Sequence, residues 1–435
     1  MERKLNLSDQ ASGMKHHVVI TGTGIISPIG YSTEEFAESL KSGRCGIDFW
    51  QSPPGSAAPV KIGAQIRDFS FDQLIKQCAF PAELANRARL SARRSPFSVQ
   101  CSVLAVLEAW VQAELHTNPV ADERKGIVVS GSNLSQNYAY SLYKKFEEAP
   151  EYLSPSYALH FMDTDHVGTI SDICSIKGEG FNVGGASASG NIAIIKAMQL
   201  IQLGLVDLCI VAGTVADLSP MELMSFSNLG AMGGKSFEGE PDQACRPFDK
   251  KHEGFIYGQA AACLVLESRQ SAEKRGVKPL AELLSGALVL DGNRLSDPNE
   301  DGEVRAMEQA LQQAGLSSKD IDYINAHGTS TPAGDMTEIR AIKRLFKERL
   351  GDIWMNSTKS LTGHCLYSAG IVEALSAIIQ MKEGFVHPNL NLEEPIDQAC
   401  RFSRGMSVKA NLQTSLSNSF GFGGINTSIV LRGIN

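Results

Sequence analysis

An α/β architecture built from two similar halves is what the 435-residue sequence predicts, and three features carry that expectation. Short apolar runs of strand length alternate with longer helical segments along the whole chain. Glycines follow helical segments at Gly204, Gly315 and Gly384, where a helix C-terminus favours a residue that tolerates positive φ. A small-residue turn, a helix of about five turns and a glycine occur twice, in GGASASG...LIQLG and in GHCLYSAG...QMKEG.

In chain order, HVVITGTG at 17–24 has the compact apolar composition of a strand, and PFSVQCSVLAVLEAWVQAEL at 96–115 the length of a helix. GIVVSGS at 126–132 is a strand, NIAIIKAMQLIQLG at 191–204 a helix, and DLCIVAGT at 207–214 and AACLVLE at 261–267 are strands. In the second half EVRAMEQALQQAG at 303–315, EIRAIKRLFKERL at 338–350 and GIVEALSAIIQMKEG at 370–384 are helices. IDYINAHGT at 321–329 and TSIVLRG at 427–433 are the strands between and after them. GQAAACLVLES is echoed by GGINTSIVLRG, so the charged segment SRQSAEKRGVKP at 268–279 marks the seam. The division expected is a tail at 1–15, a half at 16–270 and a half at 271–435. Ser187 and His364 then begin equivalent helices near a pseudo-twofold axis, in one central site.

With 43% hydrophobic residues the chain can bury one large core or two fused ones. No apolar run approaches ~18 residues, and the N-terminal MERKLNLSDQASGMKHH is too polar for a signal peptide; neither a membrane span nor export is indicated, and the cytoplasm is expected. Nine cysteines form no CxxC pair, which argues against a disulfide framework and a structural zinc site. A net charge of −8 disfavours nucleic-acid binding. The densest basic run, RARLSARR from Arg87 to Arg94, has on charge patterning alone the character of a solvated helix face.

Four segments could do chemistry. In FNVGGASASGNIAI, Ser187 lies among small residues at a helix N-terminus, where free N–H groups stabilise negative charge. It is not the hydrolase elbow G-x-S-x-G, because position 189 is serine. NAHGTSTPAGD ends a strand in His327, with Thr329 and Thr331 able to face one ligand. NSTKSLTGHCLYSAG places Lys359 five residues before His364. SNSFGFGGINTS holds Asn418, Phe422, Gly423 and Gly424 in a stretch suited to close backbone approach.

In their order along the chain VVITGTGIISPIG, GGASASG, RPFDKKHEGFIYG, AHGTSTPAGD, STKSLTGH and NSFGFGG resemble the β-ketoacyl synthase family, the thiolase-fold condensing enzymes of fatty acid and polyketide synthesis. The resemblance implies a five-layered αβαβα protomer, a homodimer, and a substrate carried on the phosphopantetheine of an acyl carrier protein, with no bound cofactor or metal. It implies that His327 and His364 stabilise an enolate, that Lys359 supports them and pairs with Glu373, and that Thr329 and Thr331 hold the pantetheine arm. The resemblance further implies that the N–H groups of Ser187 and Phe422 form an oxyanion hole, that Phe422 also acts as a gate, and that Asn418, Gly423 and Gly424 support it. Carrier docking is expected at Arg87, Arg89, Arg93 and Arg94, since an acidic carrier meeting an acidic protein needs a local basic patch.

One departure decides the reading: Ser187 stands where the family has its acyl-accepting cysteine. Condensation needs a nucleophile to take an acyl group and a carbanion, made by decarboxylation, to attack it. A thiol ionises readily at a helix N-terminus, whereas an alcohol needs an adjacent base and an orienting third group. Decarboxylation needs only donors that meet charge on the thioester oxygen. The expected activity is therefore conversion of malonyl-carrier to acetyl-carrier, as in free-standing serine-for-cysteine homologues of polyketide β-branching cassettes, alongside other enzymes of such a pathway. The alternatives are a serine-dependent acyltransferase or ketosynthase with an acyl-Ser187 intermediate, and a non-catalytic partner subunit. Gln259, Tyr367 and Ser95 are further departures without an assigned effect.

Overall fold

The computed structural model describes residues 17–51 and 60–434, so the expected tail at 1–15 lies outside the described residues. Eleven strands form one sheet whose two sides repeat the same plan. On one side the order is Val18–Ile26, Ala261–Ser268, Leu208–Gly213, Lys125–Ser130 and Gly180–Val183. On the other it is Ala281–Leu290, Ile425–Gly433, Thr414–Gly421, Tyr323–Asn325 and Trp354–Asn356, with Arg401–Phe402 beyond. In both sets the first two pairings are antiparallel and the next two parallel. Residues 18–20 join the sets by antiparallel pairing to 281–283.

The echo between GQAAACLVLES and GGINTSIVLRG is thus an echo between strands in equivalent places.

Between the two sides of the sheet lie the helices Ser189–Gln202 and Ala369–Glu383, which are buried over most of their surface and pack on each other. Such all-round apolar helices belong in an interior layer. They cross at Gly190 and Gly370: a Cβ on Gly190 would lie 2.8 Å from the Ile371 nitrogen, and one on Gly370 would lie 2.7 Å from the Asn191 nitrogen. Only hydrogen fits at that crossing, and the approach it permits sets the two helix N-termini side by side. Phe97–Gln112 and Thr164–Cys174 cover the outer face of the first half, and Glu300–Ala314 and Pro332–Phe346 that of the second. The five layers αβαβα expected from the resemblance are present.

The helix expected at 338–350 begins earlier, at Pro332, because proline at the first helical position has no N–H to satisfy and Thr331 is extended. The strand expected at 321–329 leaves the sheet after Asn325. That early exit frees the segment from His327 to Thr331 to face the centre of the molecule.

Candidate active site

Each central helix is preceded by one 3₁₀ turn, Ala186–Ala188 or Leu366–Ser368, and each turn opens on a residue of positive φ, Ala186 at 48° and Leu366 at 49°. The first turn is pinned by the Gly185 N–H donating to Ser189 Oγ (2.9 Å) and by that hydroxyl donating to the Ala186 carbonyl (2.7 Å). Those bonds offset the strain of a left-handed alanine, a conformation that costs about 1 kcal/mol or more. Ser187 is thereby held half-buried beside the second turn.

His364 reaches across to it, with Nε2 2.8 Å from Ser187 Oγ. Its other ring nitrogen, Nδ1, accepts from the Leu366 N–H at 3.3 Å. A backbone N–H is only a donor, so Nδ1 carries no proton and the neutral ring holds its proton on Nε2. His364 therefore donates to Ser187 Oγ. It is not placed to take the serine proton, since the opposite tautomer would turn N–H against N–H at Leu366.

His327 is fixed in the same tautomer by a different partner. Lys359 Nζ lies 3.3 Å from His327 Nδ1 and also donates to the His327 carbonyl and to Glu373 Oε1, so an ammonium's three hydrogens meet three acceptors. The proton of His327 is left on Nε2. Lys359 and Glu373 are each only 1% exposed, and Ser419 Oγ donates to the second carboxylate oxygen at 3.2 Å. Burial raises the Glu373 pKa, and the Lys359 charge and its hydrogen bond oppose that rise.

The two imidazoles stand edge to face with centroids 5.6 Å apart. Burial pushes both pKa values well below the usual histidine range, and the Lys359 charge pushes them further. Phe255 and Phe420 pack edge-on against His364 and His327. Two neutral Nε2–H donors thus share one dry wall.

Gly421 brings the remaining backbone into place, for a Cβ there would lie 2.5 Å from the Gly185 carbonyl and 3.4 Å from the Ser187 nitrogen. Phe422 follows it, 40% exposed and 6.4 Å from Phe226, which in turn packs on Phe255. Aromatic rings therefore run from the surface to His364. Gly423 and Gly424, at φ 86° and 68°, make the tight return between the last two strands. The Thr329 and Thr331 hydroxyls lie 2.8 Å apart beyond His327.

Sequence reasoning missed the group that holds His327 in place. Glu338 accepts the N–H groups of His327 and Gly328, both at 2.8 Å, and Asn418 Nδ2 donates to it at 3.1 Å. The signal was available in the three-residue spacing of Asp335 and Glu338 in the first turns of a helix, which puts both acids on one face. Asp335 in turn accepts from the Phe248 and Ser330 N–H groups.

The arginines of the basic run are not equivalent. Arg87 donates to the Asp172 carbonyl and to Ser175 Oγ, and Arg89 lies 4.0 Å from Asp72, whereas Arg93 and Arg94 are exposed just past the helix Ala82–Ala92. Gln259 Oε1 accepts the Ile66 N–H at 3.0 Å, and the Ser95 N–H closes a turn on the Ala92 carbonyl. Among the described residues no group of three or more His, Cys, Asp or Glu side chains is placed to hold a metal ion. No helix there is long and apolar enough to cross a membrane.

Residues 15–272 match the N-terminal domain that defines β-ketoacyl synthases, and residues 280–393 match their C-terminal domain. The chain belongs to the β-ketoacyl synthase family. It is 40% identical over 418 residues to the polyketide biosynthesis malonyl-ACP decarboxylase PksF of Bacillus subtilis (strain 168), with 96% of each chain covered. It is 31% identical over 427 residues to 3-oxoacyl-[acyl-carrier-protein] synthase 2 of Coxiella burnetii, covering 96% of this chain and 98% of that one. Among solved structures, a β-ketoacyl synthase from Burkholderia phymatum STM815 superposes with a TM-score of 0.83 at 30% identity, over 97% of this chain and 100% of that one. A type II polyketide ketosynthase solved in complex with its acyl-carrier protein gives a TM-score of 0.84 at 25% identity with the same coverage. In this ketosynthase-family chain the paired histidines, the lysine and the Ser187 turn all meet at the junction of the two halves.

Proposed function

We propose that this β-ketoacyl synthase family protein decarboxylates malonyl-acyl carrier protein to acetyl-acyl carrier protein in a polyketide pathway, without a covalent intermediate on Ser187. The observation that carries the reading is the Leu366 N–H donating to His364 Nδ1 at 3.3 Å, which assigns the ring proton to Nε2. With its proton on Nε2, His364 serves as a donor to oxygen, and so does His327. A malonyl thioester oxygen bound between the two Nε2–H groups receives the electron pair released when the C–C bond to the carboxylate breaks and carbon dioxide leaves. A proton from water then converts the enolate to the acetyl group. Lys359 holds His327 neutral and correctly oriented, and Glu373 balances the lysine charge in the interior.

The rival reading, an acyl-Ser187 enzyme, needs a base at Ser187 Oγ, and the imidazole there already presents a hydrogen. A silent partner subunit has no need of the donor pair or of the ion pair behind it. Similarity to PksF over nearly the full length supports the decarboxylase assignment.

The protein acts as a homodimer in this proposal. Gly180–Val183 is the outermost strand of its side of the sheet, and Tyr140, Tyr143, Phe146 and Phe161 are exposed in the segment between Lys125–Ser130 and that strand. Unpaired edges and exposed aromatic patches of this kind suit an isologous contact. The pantetheine arm passes Thr329 and Thr331, no cofactor is used, and the carrier, encountered in the cytoplasm, meets Arg93 and Arg94. Incubation with malonyl-carrier and methylmalonyl-carrier, followed by mass spectrometry of carrier and enzyme, tests the assignment. Acetyl-carrier with unmodified enzyme is expected, and an unchanged malonyl-carrier would reject it.

A further inference from the structure

Tyr367 occupies in the second half the place that Ser187 has in the first. Each is the middle residue of its 3₁₀ turn, each follows a residue of positive φ, and each lies two residues before the first residue of its central helix. The two turns pack against one another.

The Tyr367 carbonyl is held by Ser130 Oγ at 2.9 Å, which fixes the turn against the end of the strand Lys125–Ser130. A Cβ on Gly131 would lie 3.0 Å from Tyr367 Cβ and 2.7 Å from Leu134 Cδ2. The same loop adjoins the Ser187 turn, since a Cβ on Gly184 would lie 3.1 Å from Ser132 Oγ. The Tyr367 side chain packs against two apolar clusters at once, one containing Leu134 and Val215 and the other Leu223 and Phe255. Phe255 is the ring that lies on His364. Tyr367 therefore fills the ground between the catalytic wall and the 131–134 loop.

We propose that Tyr367 sets the length of acyl group the site accepts, restricting it to acyl units of two or three carbons. The inference rests on the carrier-thioester reading above: with the arm passing Thr329 and Thr331 of the second half, the acyl group continues past the thioester carbonyl toward the 131–134 loop of the first half. A chain of more than a few carbons meets the tyrosine ring there. Shape sets this limit, because overfilling a packed apolar site forces displacement of its walls.

Binding without turnover tests it. Carrier proteins bearing acetyl or octanoyl groups on a non-hydrolysable pantetheine amide are titrated against wild type, Tyr367→Ala and Tyr367→Phe. Wild type is expected to bind the octanoyl carrier about tenfold or more weaker than the acetyl carrier. Tyr367→Ala should abolish or reverse that preference, and Tyr367→Phe, which keeps the ring, should retain it. Equal binding of both carriers by wild type, or an unchanged preference in Tyr367→Ala, would overturn the proposal. A Tyr367→Ala variant that fails to fold leaves the wild-type comparison to decide. Failure of the decarboxylase reading would appear separately, as malonyl-carrier left intact by wild type.

Discussion

Replacing Lys359 by methionine should separate the structural from the catalytic work of one buried charge. In the native site its ammonium meets Glu373, the His327 carbonyl and His327 Nδ1, with the lysine and its carboxylate partner both 1% exposed. Lys359→Met leaves the Glu373 carboxylate in the interior with the Ser419 hydroxyl beside it, and breaking a buried pair in this way costs about 3–5 kcal/mol. Glu373→Gln strands the ammonium and should cost a similar amount. The double variant removes both charges, so its cost should fall short of the sum by ~2 kcal/mol or more, the scale for residues in direct contact. Turnover should not recover with stability, because in the double variant nothing holds the His327 proton on Nε2, and losing one oxyanion donor costs about 10²–10³ in rate. Urea unfolding at pH 7 and fixed protein concentration, paired with malonyl-carrier turnover, reads both effects. Additive stability costs would show that the two buried charges do not depend on each other, and near-wild-type turnover in Lys359→Met would show that the lysine does not hold His327 for catalysis.

Three further outcomes follow from the same geometry. His327→Ala and His364→Ala should each lower decarboxylation by about 10²-fold or more without multiplying in combination, because both donors meet one developing charge; steady-state kinetics on the carrier substrate checks this. Burial and Lys359 depress both histidine pKa values, so the neutral form persists below pH 6.5 and activity is lost only as pH falls through those depressed values; kcat should stay level from pH 7.5 to about 5.5, where an ordinary histidine would be ~90% protonated. Arg93→Glu with Arg94→Glu should raise KM for malonyl-carrier and flatten its salt dependence, and unchanged kinetics in low salt would place docking elsewhere.

The architecture was legible where composition and position agreed. The central helices are largely apolar, are followed by glycine, and announce themselves twice, which brought Ser187 and His364 to one site in sequence; the two are not equivalent as expected, since the position matching Ser187 in the second half is Tyr367. The strand Thr414–Gly421 was hidden, for TSLSNSFG is buried along nearly its whole length yet reads as a polar loop. Asn418 donates to Glu338 and Ser419 to Glu373, both far away in sequence, and no local pattern reports such partners. The His364 tautomer was equally out of reach, because it depends on one backbone N–H at Leu366, in a turn of unusual φ. The basic run shows the limit of charge patterning: its four arginines look alike in sequence, but Arg87 is bonded to its own chain.

Whether Ser187 takes part covalently is decided by the Ser187→Ala variant. The change removes a hydroxyl that accepts from His364 and leaves the backbone N–H of position 187 in place. The lost bond is worth about 1 kcal/mol, so decarboxylation of malonyl-carrier should stay within roughly tenfold of wild type. A folded Ser187→Ala protein that leaves malonyl-carrier untouched would contradict the account and make an acyl-serine enzyme the leading mechanism.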